Sequence, residues 1–447
     1  MKRTLIRAGT IVTMDSRRSI IRRGGILLEG DHIDHILTEP EMQAMKQFDG
    51  ETVDAGRLVA IPGFIQTHLH LCQTLFRGLA DDLSLLDWLR LKIFPFEAAH
   101  DARSMYASAM VGIAELIRSG TTTILDMGSV HHEEEVVRAL DETGLRAFVG
   151  KAMMDVNTIF PKLMEPTAQA LSTTRHQAGQ WHGSSGGRIR YAVAPRFVLS
   201  CSNRLLREAY EMTRASPGML FHTHAAENRS EMDAVRKRCG MDNIEFFESI
   251  GVLQANTCLA HCIWVNDREV GLIRDRKTKV LHCPSSNLKL GSGIARVPEL
   301  LSHGIQVSLG ADGAPCNNTL NMFEEMRLAA LIQKPAHGAQ ALPAQTVFEM
   351  ATLGGAIALG IERETGSIEQ GKKADIVLLD IEQAWNPYET ADVYSSIVYT
   401  GSAENVHSVL VDGKWLYRNG QHMLIDQPRA VNDARNELRR LLQRVDN

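Results

Sequence analysis

Cysteine is scarce and unpatterned in this chain. There are seven, at 72, 201, 239, 258, 262, 283 and 316, and no two pairs recur at zinc-knuckle spacing. That excludes a disulfide-stapled scaffold and a cysteine zinc ribbon, and it fits a reducing, cytoplasmic setting. No run of about 18 apolar residues occurs, so no membrane span is expected. The stretch Met1 to Asp15 is basic but broken at Arg7, which argues against a secretory signal. Charge of one sign is lacking too: 48 basic against 53 acidic residues, formal net charge -5, leave no field to gather nucleic acid or an anionic membrane. Repeats, low-complexity segments and long linkers are absent. What is there is 447 residues, 44% hydrophobic, enough for a large globular core.

Residues 4–12 and 25–38 alternate apolar and polar side chains around turn residues, as do 374–380, 406–412 and 414–417, with Asp412-Gly413 marking a hairpin. Both termini are therefore expected to build one small β-sandwich domain, from residues 1–60 and 366–425. Between them, eight apolar strand-like runs, at 61–67, 121–127, 146–154, 189–195, 219–224, 257–262, 279–283 and 305–310, alternate with helical stretches such as 104–119, 133–142, 203–214 and 231–239. Alternation of that kind predicts an α/β fold, a (β/α)8 TIM-type barrel over 61–365 with its site at the C-terminal strand ends. Residues 426–447 are expected to end the chain in a surface helix, amphipathic from Val431 to Val445.

His68-Leu69-His70 puts two imidazoles on one face of the first run, since side chains at i and i+2 project together. Alone the pair is weak evidence, because 17 histidines in this length supply about 0.65 such pairs by chance. Further polar residues stand where core strands would end: His222, His224, His261, His282 and Asp312. Three or four imidazoles and carboxylates with one open position suit a catalytic zinc site. A single buried histidine is more often a hydrogen-bonded core residue; the convergence argues for metal.

In this order the motifs resemble the amidohydrolase superfamily over nearly the whole chain. They are Pro62-Gly63-Phe64 with Thr67-His-Leu-His70, then His224-Ala-Ala-Glu227, Leu259-Ala-His-Cys262, His282-Cys-Pro-Ser-Ser-Asn-Leu-Lys-Leu290 and Leu309-Gly-Ala-Asp-Gly313. Arg77-Gly-Leu-Ala-Asp-Asp82, Leu86-Asp-Trp-Leu89 and Phe94-Pro-Phe-Glu97 are similar to the aminohydrolase branch that deaminates 5′-modified adenosines: 5′-deoxyadenosine, methylthioadenosine and S-adenosylhomocysteine. The resemblance implies one divalent ion, zinc before iron or manganese, on His68, His70, His224 and Asp312. It also implies Glu227 as general acid and base, His261 as the residue orienting the attacking water, and Asp312 as acceptor of its proton. His222 and His282 are expected to pack or hydrogen-bond behind the ligands. A second metal would call for a bridging lysine on the fourth strand, Arg188 to Pro195, which has none, and Lys151 on the third is better read as a salt-bridge residue.

For the substrate, the resemblance assigns Glu97 to the ribose hydroxyls; Trp88 could cover the substrate, though its helical spacing suits a core residue equally. Arg196 departs from the pattern. The 5′-modified adenosine branch is similar to Ala-Pro-His there, whereas Ala194-Pro-Arg-Phe197 resembles guanine deaminases, and a planar fork of donors suits a carbonyl oxygen. Deamination of an oxopurine, a pterin or a triazine is therefore the alternative, and an inactive amidohydrolase-like scaffold a further one. The expected partner is a small-molecule purine nucleoside, with neither nucleic acid nor membrane, and a homo-oligomer is expected.

Overall fold

The computed structural model describes residues 2–44, 48–157, 160–381 and 392–445. Its contacts divide the chain into two compact units, one of Met1–Ile65, Ala114–Thr123 and Asn321–Ile425, the other of Gln66–Ile113, Ile124–Leu320 and Asp426–Asn447. No helix among the described residues is long and apolar enough to cross a membrane.

The first unit is organised by an eight-stranded mixed sheet in the order Gln421–His422, Lys414–Arg418, Val406–Val411, Ile376–Leu379, Glu51–Pro62, Arg3–Val12, Ile20–Glu29 and His32–Leu37. Segments from both ends of the chain thus share one hydrogen-bonded surface, as the alternation predicts. Asp412 and Gly413 turn the expected hairpin with φ of 48° and 67°, the paired positive angles of a tight turn whose twist matches its strands. The pattern misses Glu51–Pro62, which runs parallel to Arg3–Val12, because Glu51, Asp54 and Arg57 blur its period.

The expected first barrel strand also needs correction. Ile61 and Pro62 close the mixed-sheet strand, and the next strand is Phe64–His70. Proline cannot donate to a ladder. A Cβ on Gly63 would lie 2.1 Å from Thr122 Oγ1, so the chain passes from one strand to the next where only glycine fits.

The second unit carries the parallel sheet, two of whose strands begin in residues counted with the first. Its path is Val307–Leu309, Lys279–His282, Thr257–His261, Leu220–Ala225, Ile189–Pro195, Arg146–Val149, Thr121–Asp126, Phe64–His70 and Asp312–Gly313, with Ala152–Met153 beside Ile189–Pro195. All eight expected regions are present. Every residue of Phe64–His70 is buried, the signature of a parallel strand covered on both faces. The last run is split: Val307–Leu309 pairs with Lys279–His282, whereas Asp312–Gly313 pairs with Phe64–His70. The two ends of the path are therefore separated in sequence by Gly310 and Ala311 alone.

Helices Ala102–Arg118, Glu133–Thr143, Asn203–Thr213 and Arg229–Cys239 fall within two residues of expectation at each end. The terminal helix, Gln427–Val445, starts earlier than its apolar period suggests. It buries Ala434 and Leu441 against Leu75, Phe76 and Phe96. Arg444 Nε donates to the Ala99 carbonyl at 2.7 Å and its guanidinium meets Asp101 at 3.1 Å, which fastens the segment just after Glu97.

Gly310 is where the split strand passes the strand Phe64–His70: an added Cβ would sit 2.6 Å from the His68 carbonyl oxygen and 2.8 Å from its nitrogen. Backbone cannot yield as a side-chain tip can. Gly310→Ala should cost about 1–3 kcal/mol, read as a lower midpoint in urea with unchanged slope.

Candidate active site and metal centre

Parallel register assembles the site. His224 pairs with Ala260 and Ala225 with His261, while Asp312 pairs with Leu69, between His68 and His70. Each polar group therefore leaves its strand at one level of the sheet. Three backbone positions there, His261, Cys262 and Asp312, hold left-handed φ of 75°, 47° and 61°. Non-glycine residues accept that conformation only where the surroundings enforce it, which is typical of functional sites.

The imidazoles are oriented from behind. His68 Nδ1 lies 2.8 Å from His222 Nε2 and His224 Nδ1 lies 2.7 Å from the Arg196 carbonyl. An amide carbonyl only accepts, so His224 carries its proton on Nδ1 and leaves Nε2 free. Burial holds His68 below its ordinary pKa and His70 and His224 well below theirs, so all three are neutral and ready to coordinate. The free nitrogens converge: His68 Nε2 and His70 Nε2 each lie 3.4 Å from Asp312 Oδ1, and His70 Nε2 lies 3.3 Å from His224 Nε2.

Do these residues fit a cation? The donor atoms of His68, His70 and Asp312, and those of His68, His224 and His261, lie within 4.8 Å of one another. Among the described residues His68 Nε2 is buried with no hydrogen-bond partner, and facing imidazole lone pairs repel without a cation between them. Three nitrogens and a carboxylate oxygen suit a borderline divalent ion. The fit is good. Burial alone would raise Asp312, but the surrounding imidazoles of His68, His261 and His70 hold it well below the carboxylate range. Ser286 Oγ at 2.6 Å and the Gly313 N–H at 2.7 Å donate to its two oxygens.

Opposite stand Glu227 and His261. Burial first, then Asp312 and Glu231, push the Glu227 carboxyl well above its usual value, which favours its protonated form. His261 Nε2 lies 3.5 Å from Glu227 Oε2 and 3.8 Å from Asp312 Oδ2, and its Nδ1 lies 2.8 Å from Asn287 Oδ1. A cavity opens here, with His70, His224, His261, Glu227 and Asp312 in its lining. The rest of its lining, Leu85, Trp88, Leu89, Phe197 and Leu290, is apolar except for Arg196.

Of the remaining expected residues, Trp88 lines the cavity and Glu97 is buried but absent from its wall. Instead Glu97 accepts both ends of the Arg196 fork, at 2.6 and 3.0 Å, and the Gln73 amide at 2.7 Å. Removing either member of this buried ion pair would strand the other, at about 3–5 kcal/mol. His222 takes the expected place behind a ligand; both His282 nitrogens are buried without a partner among the described residues. Lys151 is paired with Glu165. Sequence reasoning passes over Gln73, Asn287 and Asp126. Asp126, which burial pushes up to about 7, accepts from the Leu71 and Gly128 N–H groups at 2.8 and 3.1 Å and so braces the turn after His70. Only the position of each beside a strand end, amid apolar neighbours, hints at its role.

Fold and site together define a metal-dependent hydrolase of carbon–nitrogen bonds, and the comparisons give its family. The Amidohydrolase family profile matches residues 59–416, and the chain belongs to that family. It is 39% identical over 91% of its length to the 5′-deoxyadenosine deaminase of Methanothermobacter thermautotrophicus, covering 92% of that protein. Identity to the 5-methylthioadenosine/S-adenosylhomocysteine deaminase of Syntrophomonas wolfei is 35%, over 97% of this chain and 98% of that one. Among solved structures, an adenosine deaminase from Xanthomonas campestris with bound zinc superposes with a TM-score of 0.91 at 28% identity, each chain covered to 98%.

Because His222 Nε2 fixes His68 from behind, His222→Phe should weaken affinity for a divalent ion about 10- to 100-fold. Competition with a chromophoric chelator reads this directly; equal retention by wild type and variant would refute it.

Proposed function

We propose that the chain is a zinc-dependent hydrolytic deaminase that replaces the 6-amino group of a 5′-modified adenosine by oxygen and releases ammonia. One observation carries the chemistry: His261 Nε2 stands between Glu227, held protonated, and Asp312, held ionised. Two carboxyls driven to opposite protonation states across one cavity supply an acid and a base at the same pH. The names of the relatives support the substrate class. The apolar wall supports an uncharged 5′ end, with 5′-deoxyadenosine ahead of methylthioadenosine and S-adenosylhomocysteine last.

His68, His70, His224 and Asp312 would hold a single zinc ion, which lowers the pKa of water toward about 7. Asp312 takes a proton from the attacking water. His261 orients that water and faces the charge developing on its oxygen. Glu227 gives its proton to a purine ring nitrogen, making C6 electrophilic. After the oxygen adds, the Glu227 carboxylate takes the proton of the new hydroxyl and passes it to the amine, the C6–N bond breaks, C6=O forms and ammonia leaves; the proton on Asp312 then returns to Glu227.

The split last strand supports closure of the parallel sheet into a (β/α)8 barrel over residues 61–365, because its two segments hydrogen-bond to opposite ends of the path. One apolar cluster uniting Ile6, Ile26, Ile33, Leu58, Ile376 and Leu410 supports a β-sandwich from residues 1–60 and 366–425, with 426–447 as the terminal helix. Seven free thiols support a cytoplasmic setting. The proposal includes a homo-oligomer, for light scattering to check.

An ammonia-release assay across 5′-deoxyadenosine, methylthioadenosine, S-adenosylhomocysteine, adenosine, guanine and 8-oxoguanine tests this reading. The highest kcat/KM should fall on 5′-deoxyadenosine, and turnover of the oxopurines alone would reverse it in favour of the alternative that Arg196 suggests. Chelation should abolish activity and zinc restore it. Glu227→Gln should lower kcat about 100- to 10,000-fold. Since Glu227 must enter protonated, wild-type kcat/KM should fall as pH rises through its elevated pKa, and an acid limb alone would contradict that role.

A further inference from the structure

The cavity wall carries Arg196 and not Glu97, which reverses the roles their residue types suggest. Both side chains are buried, 4% and 3% exposed. Glu97 Oε1 accepts from Gln73 Nε2 and Arg196 Nη2, and Oε2 accepts from Arg196 Nη1. Of about four lone-pair sites on a carboxylate, three are taken, too many for it to grip a ribose diol with both oxygens. The guanidinium has five N–H donors, of which Glu97 takes two. Its plane is steadied by the Phe94 ring, 5.3 Å from Cζ.

Two consequences follow. Glu97 offsets the guanidinium charge, so the remaining donors suit a neutral acceptor better than a phosphate. The Arg196 backbone is also tied to the metal site, because its carbonyl accepts from His224 Nδ1 at 2.7 Å and from the His224 N–H at 3.0 Å. A side chain anchored in this way lies at a set distance from the reacting atoms.

We propose that Arg196 is the specificity-determining residue of this cavity: a charge-offset donor to the sugar oxygens of a nucleoside, with Glu97 and Gln73 as positioning residues that hold its fork. This rests on the reading that the substrate is a nucleoside. It differs from direct recognition of the sugar by Glu97 and from recognition of an oxopurine carbonyl by Arg196.

The test compares 5′-deoxyadenosine with its 2′-deoxy and 3′-deoxy counterparts in the zinc-loaded wild type, Arg196→Lys and Glu97→Gln. Wild type should lose about 10- to 100-fold in kcat/KM, chiefly through KM, when one of the two hydroxyls is removed. Arg196→Lys keeps the charge without the fork; it should lose a similar factor on 5′-deoxyadenosine and little more on that deoxy analogue. Glu97→Gln should follow Arg196→Lys in KM. The proposal is overturned if Arg196→Lys still discriminates against the deoxy analogue while Glu97→Gln does not, since Glu97 would then read the sugar itself. Should either variant fail to fold, the wild-type series decides on its own: equal kcat/KM for all three nucleosides overturns the Arg196 assignment while leaving the deaminase reading intact. A wild type that turns over guanine and none of the nucleosides overturns both.

Discussion

Neutral imidazoles crowded nitrogen against nitrogen are the constraint on which the rest of this molecule depends. A protein interior tolerates lone pairs facing one another only when something holds each ring and a cation can take up the repulsion. Here His222 and the Arg196 carbonyl hold two of the rings from behind. Burial keeps them unprotonated, and Asp312 supplies the negative charge that a divalent ion requires. The parallel ladders follow from the same need: only side-by-side strands of matched register end their polar residues at one level.

The neighbours of each buried carboxyl set the two apart. Asp312, among imidazoles and donors, is held well below the carboxylate range; Glu227, buried beside Asp312 and Glu231, is pushed well above it. Local chemistry is identical, one carboxyl in each, and environment alone drives their pKa values in opposite directions. Left-handed backbone at His261, Cys262 and Asp312 shows that the fold imposes these positions against local preference.

Much of the fold is legible before any coordinates, because period is a local property. Eight apolar runs alternating with helical patterns give the parallel sheet, and Asp412-Gly413 gives a hairpin of the mixed sheet. Glu51–Pro62 is not legible, since a strand with several exposed polar positions has no clean period. The break at Pro62 and Gly63 depends on a close approach to Thr122, a residue distant in sequence. The splitting of the last strand likewise follows from its two different neighbours.

For the site, the sequence by itself determined the kinds of atoms available: six imidazoles and two carboxyls at or just past strand ends, with Arg196 in place of a histidine. Residue type and strand phase suffice for that, as both are written locally. Only the tertiary structure decided which groups meet. Glu97 and Arg196 stand far apart in sequence yet form one buried pair with Gln73 behind it, and His222 reaches His68 across the sheet. Pairing, protonation state and cavity exposure arise from three-dimensional proximity in a low dielectric, and no local pattern encodes them.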